Sequence, residues 1–295
     1  MLGPLLNLFP RTYSPVLIVP RKLHTHFYSR SLAVLTRSRY NVLAETVEGD
    51  PNNIIMVGAH TDSVAAGPGI NDDGSGTVGI LEVARQLSNF SIENKVRFGW
   101  WSGEEEGLLG SKYYVKNLTA AELRKVKAYL NFDMIASPNY QFGIYDGDGG
   151  DFNITGPQGS GDIETLFQDF YRGKDLNYTS VPFDGRSDYD PFIKVGIPAG
   201  GVVTGAEKNK TQEGAAEFGG TAGIAFDPNY HSSRDTVANL NFEAFLINAK
   251  AIAHSVATYA ESFDSLNTAP GNSGSFPKRR SLIRREMSHS RFPTA

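Results

Sequence analysis

Apolar residues along the middle of the chain occur in two patterns that alternate with each other. Short, nearly continuous apolar runs, such as residues 54–59 and 96–101, indicate strands buried on both faces. Longer segments in which apolar residues recur every three or four positions, such as residues 242–259, indicate helices with one buried face. The alternation predicts an α/β fold, in which helices flank both faces of a mostly parallel, mixed sheet.

These patterns, together with the turn residues between them, define the predicted elements. Strands are expected at residues 41–46, 54–59, 96–101, 128–134, 143–145 and 199–204. Helices are expected at residues 77–87, 108–116, 120–125, 163–171, 187–194 and 242–259. Thr119 and Glu122 have the spacing of a capping box, which indicates where the third helix begins.

Composition divides the chain into three regions. The chain has 295 residues, of which 40% are hydrophobic, and this is enough for one large domain. We assign residues 39–264 to that domain, because the strong periodic signals lie there. Residues 1–38, punctuated by Pro and Arg, are interpreted as an N-terminal arm or a truncated remnant. Residues 265–295, dominated by Gly, Ser, Pro and Arg, are predicted to be a disordered basic tail.

Charge and cysteine content narrow the expected partners and compartment. The net charge is only −4, which gives no indication of nucleic-acid binding, and no apolar run approaches the length of a membrane span. We expect a monomer. The chain has no cysteine, so a disulfide cannot form, but five N-x-[ST] sequons favour a secreted or vacuolar glycoprotein, although no clean signal peptide precedes them. The sequons begin at Asn89, Asn117, Asn153, Asn177 and Asn209.

Ionisable side chains follow several of the predicted strands at the point where each strand ends. Since ligands bind at the carboxyl ends of the strands in an open α/β sheet, these groups should meet at one edge. The loop after the strand at residues 54–59 and a late loop near residue 230 bring further polar groups to that edge. The side chains expected there are His60, Asp62, Asp72, Asp73, Glu104, Glu105, Glu106, Asp133, Tyr230 and His231.

So many carboxylates in a partly dry site would repel one another and have raised pKa values unless a cation lies among them. A set of two imidazoles and three carboxylates, with no thiolate, suits zinc, while cobalt and manganese remain possible. His60 and Asp72 are too far apart in sequence for the helical HExxH arrangement, so the site would be built from strand ends and loops.

Five blocks of the sequence carry these polar residues. They are, in order, GAHTDSVAAGPGINDDGSGTVGILEVA, FGWWSGEEEGLLGSKYYV, YLNFDMIASPN, FDGRSDYDPFI and FGGTAGIAFDPNYHSSRDT. Together they resemble the dizinc aminopeptidases, a family that includes secreted bacterial leucine aminopeptidases and fungal vacuolar or secreted aminopeptidases. The resemblance covers residues 40–259 and implies the zinc exopeptidase form of the α/β fold with two zinc ions per chain.

The resemblance also implies a ligand for each metal position. One zinc would be held by His60 and Asp133, the other by Glu105 and His231, and Asp72 would bridge the two.

Further roles concern the residues around these ligands. By the same resemblance Glu104 would be the general base, taking a proton from water and passing it to the leaving amine. Glu106 falls where the family often has an apolar residue. Asp62, two residues beyond His60, is interpreted as the carboxylate that fixes the protonated ring nitrogen of that histidine. The peptide bond between Asp72 and Asp73 resembles a cis bond in the family.

Three residues are expected to face the substrate. Tyr230 would offer its hydroxyl to the oxyanion that forms during peptide hydrolysis, as the family suggests. Arg186 lies in a block whose loop approaches the amine and carbonyl of the substrate in similar proteins. Met134, next to Asp133, is a candidate wall for the first side chain of the substrate.

The late loop departs from the family pattern. In bacterial members the last histidine lies in a CYHxxC loop that a disulfide closes, whereas Asn229 and Arg234 occupy those positions here. The loop must therefore be held by other means, and we expect a more mobile His231.

The sequence as a whole predicts a metallo-aminopeptidase that acts on peptide or protein N-termini and prefers apolar first residues. Two alternatives stay open at this point. The same fold serves carboxypeptidases and glutaminyl cyclases, and the chain could instead be an inactive, receptor-like homologue that binds peptides without cleaving them.

Overall fold

A computed structural model of the chain describes residues 39–267 and two short strands before them. These two strands, β1 (Thr25–Phe27) and β2 (Leu35–Arg37), pair with each other antiparallel. The arm and tail predicted from composition otherwise lie outside the described residues.

The central sheet has seven strands and mixed direction, which confirms the predicted fold class. From one edge to the other the order is β3, β5, β4, β6, β9, β7, β8. The four inner strands β5, β4, β6 and β9 are parallel, whereas β3 and β7 each run antiparallel to their inner neighbour. The strands are β3 (Val42–Glu45), β4 (Asp50–His60), β5 (Asn94–Trp101), β6 (Val126–Phe132), β7 (Gly143–Tyr145), β8 (Thr179–Val181) and β9 (Ala199–Val203).

Helices cover both faces of this sheet. Alternate residues of β4 point to opposite faces: Ile55 and Val57 pack in the core that includes α1, α4 and α7, and Met56 packs in the core that includes α2 and α5. The helices are α1 (Gly74–Leu87), α2 (Leu109–Asn117), α3 (Ala120–Leu123), α4 (Ser160–Arg172), α5 (Asp190–Lys194), α6 (Gln212–Phe218) and α7 (Phe242–Glu261). None of the helices in the described part of the chain is long and apolar enough to cross a membrane.

Each predicted strand and helix of the domain is present, with shifts at the ends, and the capping box of Thr119 and Glu122 is formed. Within residues 39–267, one strand and one α-helix were not predicted. β8 has only three residues, all half-buried at the sheet edge, so it lacks the apolar run that marks an inner strand. α6 has no buried residue and therefore no apolar periodicity, and its start depends instead on the Thr211 side chain, which accepts a bond from the Gly214 amide.

The register of the parallel strands brings the polar strand ends together. His60 on β4 lies opposite Trp101 on β5, and Gly58 on β4 lies opposite Asn131 on β6. The residues that follow Trp101 and the end of β6 therefore reach the same edge of the sheet as His60. This edge carries the candidate site.

Candidate metal centre

The imidazole of His60 is held with one ring nitrogen free to bind a ligand. Its Nδ1 lies 2.9 Å from the main-chain carbonyl oxygen of Asp62, and because a carbonyl can only accept, Nδ1 carries the proton. Its Nε2 then faces Oδ1 of Asp72 at 3.1 Å and Oδ1 of Asp133 at 3.6 Å.

Asp62 contributes to the site differently from the sequence-based prediction. Its carboxylate Oδ1 lies 3.8 Å from His60 Nδ1, too far for a hydrogen bond, so its carbonyl and not its carboxylate fixes the His60 tautomer. The carboxylate instead accepts a bond of 3.1 Å from the main-chain N–H of Glu104. Asp62 thus links the position of His60 to that of Glu104.

A second imidazole closes the opposite side of the site. Nε2 of His231 lies 3.0 Å from Oε2 of Glu105 and 3.1 Å from Oδ2 of Asp72. The atom is buried, yet its geometry makes no hydrogen bond to either oxygen. His231 also has a left-handed backbone with φ of 53°, a strained conformation for this residue type. Such an orphaned nitrogen between two carboxylates fits a position for a cation.

Asp72 lies between the two imidazoles, with one carboxylate oxygen directed at each. Asp133 completes the His60 side: Ser187 Oγ donates to its Oδ2 at 2.6 Å, while Oδ1 faces the imidazole. Ser187 is itself held by Asn131, whose Nδ2 donates to Oγ at 2.8 Å. The geometry therefore provides two neighbouring groups of nitrogen and oxygen atoms that share Asp72.

Asp73 is close enough to compete for a ligand role but is engaged elsewhere. One carboxylate oxygen accepts from the N–H of His60 at 3.1 Å, and the other accepts from the N–H of Gly76 and of Met134, each at 3.0 Å. The Asp72–Asp73 peptide bond is cis, as the resemblance implied. Asp73 thus caps α1 and ties the ends of β4 and β6 together, whereas the carboxylate of Asp72 is directed at the two imidazoles.

The backbone at the start of α1 leaves no space for a side chain at Gly76. A Cβ atom at Gly76 would lie 2.0 Å from the carbonyl oxygen of Phe132, so only glycine lets the helix begin this close to β6.

Burial and mutual repulsion shift the pKa values of these acids. Burial, and then the Asp133 carboxylate, raise the pKa of Glu104 to about 10, and burial and Asp72 raise the pKa of Glu105 to about 7. Against the effect of burial, the nearby imidazoles of His231 and His60 lower the pKa of Asp72 to about 2. The raised pKa values of Glu104 and Glu105 favour their protonated forms, and a divalent cation among the carboxylates would favour the ionised forms instead.

The three consecutive glutamates have three different surroundings. Glu104 is buried, with 8% of its surface exposed, and lines a cleft that Asp72 also lines. Glu105 points to His231. Glu106 is exposed and pairs with Arg39.

A cleft of about 180 Å³ opens beside the two imidazole–carboxylate groups. Its floor carries Asp72, Glu104, Glu105 and Asp133. Its walls are mainly apolar and include Met134, Tyr145, Val181, Val203 and Phe226. Such a cleft offers charged groups at one end and space for an apolar side chain at the other.

Two further predicted residues lie at the mouth of this cleft. The Tyr230 ring stacks on the His231 ring with 3.7 Å between centroids. The Arg186 guanidinium donates to the Tyr230 hydroxyl at 3.4 Å and to Glu207 at 2.8 Å. Arg186 therefore lies near the cleft but is already paired with a carboxylate.

A network of carboxylates and amides holds the loop that carries His231. Nδ2 of Asn239 donates to both carboxylate oxygens of Asp227, at 2.9 and 3.0 Å, and to Asp235 at 3.1 Å. Asp235 also accepts from the main-chain N–H of Asn71 and of Asp72. The loop is thus tied to the main chain of Asn71 and Asp72 by hydrogen bonds, in place of the disulfide that the bacterial pattern would supply.

A buried lysine supports one wall of the cleft and was not singled out from the sequence. Lys210 is 1% exposed, and its Nζ donates to the carbonyl oxygens of Tyr140 and Gly219 at 2.6 and 2.8 Å. It also lies 5.9 Å from the ring of Phe226, a wall residue. The lysine stands in a polar stretch, KNKTQEG, that reads as a solvated loop, so no sequence signal marks it.

An open α/β sheet with imidazoles and carboxylates grouped at the carboxyl ends of its strands defines a metal-dependent class of α/β proteins. The model of peptidase family M28 matches residues 41–256, and the chain belongs to this family.

Individual relatives agree with this assignment. The chain is 57% identical over 249 residues to "Probable leucine aminopeptidase 2" of Aspergillus fumigatus, a match that covers 84% of the chain and 49% of the relative. The chain thus spans about half the length of that relative. Among solved structures it resembles an aminopeptidase from Aneurinibacillus sp. strain AM-1, at 28% identity, TM-score 0.62 and coverage of 78% and 50%. A zinc aminopeptidase from Bacillus subtilis gives 25% identity, TM-score 0.61 and coverage of 75% and 50%.

We expect Asn239→Ala to loosen the loop that carries His231. The change removes the bonds that Asn239 donates to the Asp227 and Asp235 carboxylates, although each keeps other donors, and this costs about 1–3 kcal/mol of unfolding free energy. Denaturant unfolding should show this loss, and amide hydrogen exchange should rise over residues 227–236. Ser233→Ala, at an exposed position of the same loop, is the matched control. Equal stability and equal exchange in the two variants would show that the network does not hold the loop.

Proposed function

We propose that residues 39–264 form the catalytic domain of a zinc aminopeptidase that removes single N-terminal residues, with a preference for apolar ones, from peptides. One observation carries this proposal: two imidazole–carboxylate groups share Asp72 at the floor of a mainly apolar cleft. Membership of peptidase family M28 and the names of the relatives support the same activity.

We propose two zinc ions per chain. The donor set supports this number, because Asp72 directs one carboxylate oxygen to the His60 side and the other to the His231 side, and the chain has no thiolate to compete. His60 and Asp133 would hold one ion, Glu105 and His231 the other, and Asp72 both. When bound, the ions would polarise the peptide carbonyl as Lewis acids and lower the pKa of water, so that water loses a proton and attacks the carbonyl near neutral pH.

The protein groups then move the protons. Glu104 is buried at the cleft floor, and its main-chain N–H is fixed by Asp62, so its carboxylate has a defined position beside the ligands. We assign it the role of general base: its carboxylate takes the proton of the attacking water and later passes it to the nitrogen of the leaving amine. Burial and its negative neighbours raise the pKa of Glu104 in the metal-free protein, and the positive charge of the bound ions would keep the carboxylate ionised so that it can accept this proton.

Tyr230 and the cleft walls would position the substrate. The Tyr230 hydroxyl, oriented by Arg186, would donate to the oxyanion that develops on the scissile carbonyl. Met134 and its apolar neighbours would contact the first side chain of the peptide, which gives the preference for apolar residues. Arg186 would thus act through Tyr230 and not by pairing with the substrate directly.

The carboxylates at the floor of the cleft explain why cleavage would be restricted to the N-terminal end of a peptide. A free N-terminal amine is cationic and can be bound by Glu104 and Asp133, whereas an internal peptide nitrogen carries no charge. The same preference distinguishes an aminopeptidase from a carboxypeptidase, which needs a cationic group for the substrate carboxylate.

Glu104→Gln should abolish turnover without releasing zinc. The amide has nearly the same shape but cannot accept the proton, so kcat should fall by about 10²–10⁴-fold. Activity on aminoacyl chromogenic substrates and zinc per chain by atomic absorption test this. Glu106→Gln is the matched control, because Glu106 is exposed and paired with Arg39. The assigned role is wrong if the Glu104→Gln variant keeps more than about a tenth of normal turnover.

Acetylation of the substrate amine should prevent cleavage. Because the acids of the floor would lose their cationic partner, kcat/KM for an acetylated peptide should fall by about a hundredfold or more relative to the free peptide. Liquid chromatography of the products of both peptides measures this. Equal rates would contradict an aminopeptidase, and no cleavage of either peptide by zinc-loaded protein would favour a binding homologue.

We also propose that the chain is a secreted or vacuolar glycoprotein. All five sequon asparagines are exposed, as glycan attachment requires: Asn89, Asn117, Asn153, Asn177 and Asn209. Protein made in a fungal host should exceed the sequence mass of 32.1 kDa, and enzymatic release of N-glycans should convert occupied asparagines to aspartate. Mass spectrometry that finds none of the five converted would contradict this location.

A further inference from the structure

A groove of about 670 Å³ lies between α1 and α7, away from the cleft. Its floor is formed by Val83 and Leu87 of α1 and by Val256 of α7, and the small side chains of Ala253 and Ala257 keep it wide. Phe90 stands at its edge with 67% of its surface exposed. The described residues therefore leave a large apolar surface open to water, which indicates a place for a partner.

The groove is also acidic. Glu82, Glu93 and Glu261 line it, against the single cation of Lys250. Glu82 pairs with Arg85 on the same helix, so the acidic end is the one formed by Glu93 and Glu261, both exposed. At this end α7 finishes and β5 begins, joined by a bond from the N–H of Glu93 to the carbonyl of Ala260.

The remaining chain leaves the domain close to this acidic end. After Glu261 only six residues are described, and the N–H of the last one, Asn267, donates to Asp162 at the start of α4. Six residues span at most about 20 Å, so residue 268 begins within that distance of the groove. Residues 268–277 can bridge about 33 Å when extended, which is enough to enter it.

The segment that follows is complementary to the groove in two respects. From Lys278 onward it has six cations and one acid, opposite in sign to the groove. Among these cations it carries Leu282, Ile283 and Met287, apolar side chains of which the flexible Met287 suits a wide, shallow floor. A segment of this composition cannot bury these side chains by itself, so it gains by covering them against an apolar surface.

We propose that residues 278–292 bind in this groove of their own chain. Leu282, Ile283 and Met287 cover the apolar floor, and the basic side chains lie against Glu93 and Glu261. Attachment through a short linker gives the segment a millimolar effective concentration, which favours it over a separate partner. This inference does not depend on the proposed activity, because the groove lies on the helices and the cleft at the carboxyl edge of the sheet.

Photo-crosslinking of the full chain tests the proposal. The chain has no cysteine, so Ala257→Cys, an exposed groove position, can carry one benzophenone label. After irradiation, mass spectrometry should find the label attached to residues 278–295. Lys116→Cys on α2, on the other face of the sheet, is the matched control and should give at least about tenfold less of this product.

Charge reversal tests the electrostatic part of the same complex. Glu93→Lys with Glu261→Lys, both exposed, should lower the crosslinking yield at Ala257→Cys severalfold, while thermal unfolding stays unchanged. Irradiating a mixture of ¹⁴N and ¹⁵N protein identifies the source of the captured segment. Attachment to residues 1–24, attachment of the light to the heavy chain, or equal tail yields from the groove and control positions would each overturn the proposal.

Discussion

The site depends on one constraint: several carboxylates lie close together where they are largely shielded from water. Burial and neighbouring carboxylates raise the pKa of Glu104 to about 10 and that of Glu105 to about 7, so the protein alone cannot keep both ionised at neutral pH. His60 and His231 lower the pKa of Asp72 to about 2, against the effect of burial, but offset the rise at Glu104 and Glu105 only in part. Positive charge among these groups would relieve their repulsion, and we propose that two divalent cations supply it.

Hydrogen bonds in the surrounding structure hold these carboxylates close together. Asp73 uses both carboxylate oxygens to join the ends of β4 and β6 to the start of α1, and Asp62 joins His60 to Glu104. Asp235 ties the late loop to the main chain of Asp72. The carboxylates of these acids bind backbone N–H groups and so fix the main chain around His60, Asp72 and Glu104. Asn239 holds the loop by donating to Asp227 and Asp235, and Lys210 holds the cleft wall by donating to backbone carbonyls.

The sequence predicted which polar side chains come together wherever such a residue follows a strong strand signal. His60 and Asp133 stand at the ends of apolar runs, and the parallel register does bring those ends to one edge. Residue type alone could not decide which of Asp72 and Asp73 faces the imidazoles and which caps α1, since adjacent aspartates differ only in the direction of their side chains. The Asn71–Asp227 bond joins residues 156 positions apart and has no local pattern, so it could not be foreseen. The structure also corrected the contact of Asp62 with His60, which is made by its carbonyl, because residue type does not tell which oxygen of an aspartate faces a neighbouring ring.

Anomalous diffraction from crystals of the zinc-loaded chain tests the central claim most directly. Data collected on both sides of the zinc absorption edge should show two peaks at the cleft floor. One should lie beside His60 and Asp133, the other beside Glu105 and His231, and Asp72 should contact both. A single peak, or peaks away from these five side chains, would contradict a shared dizinc site.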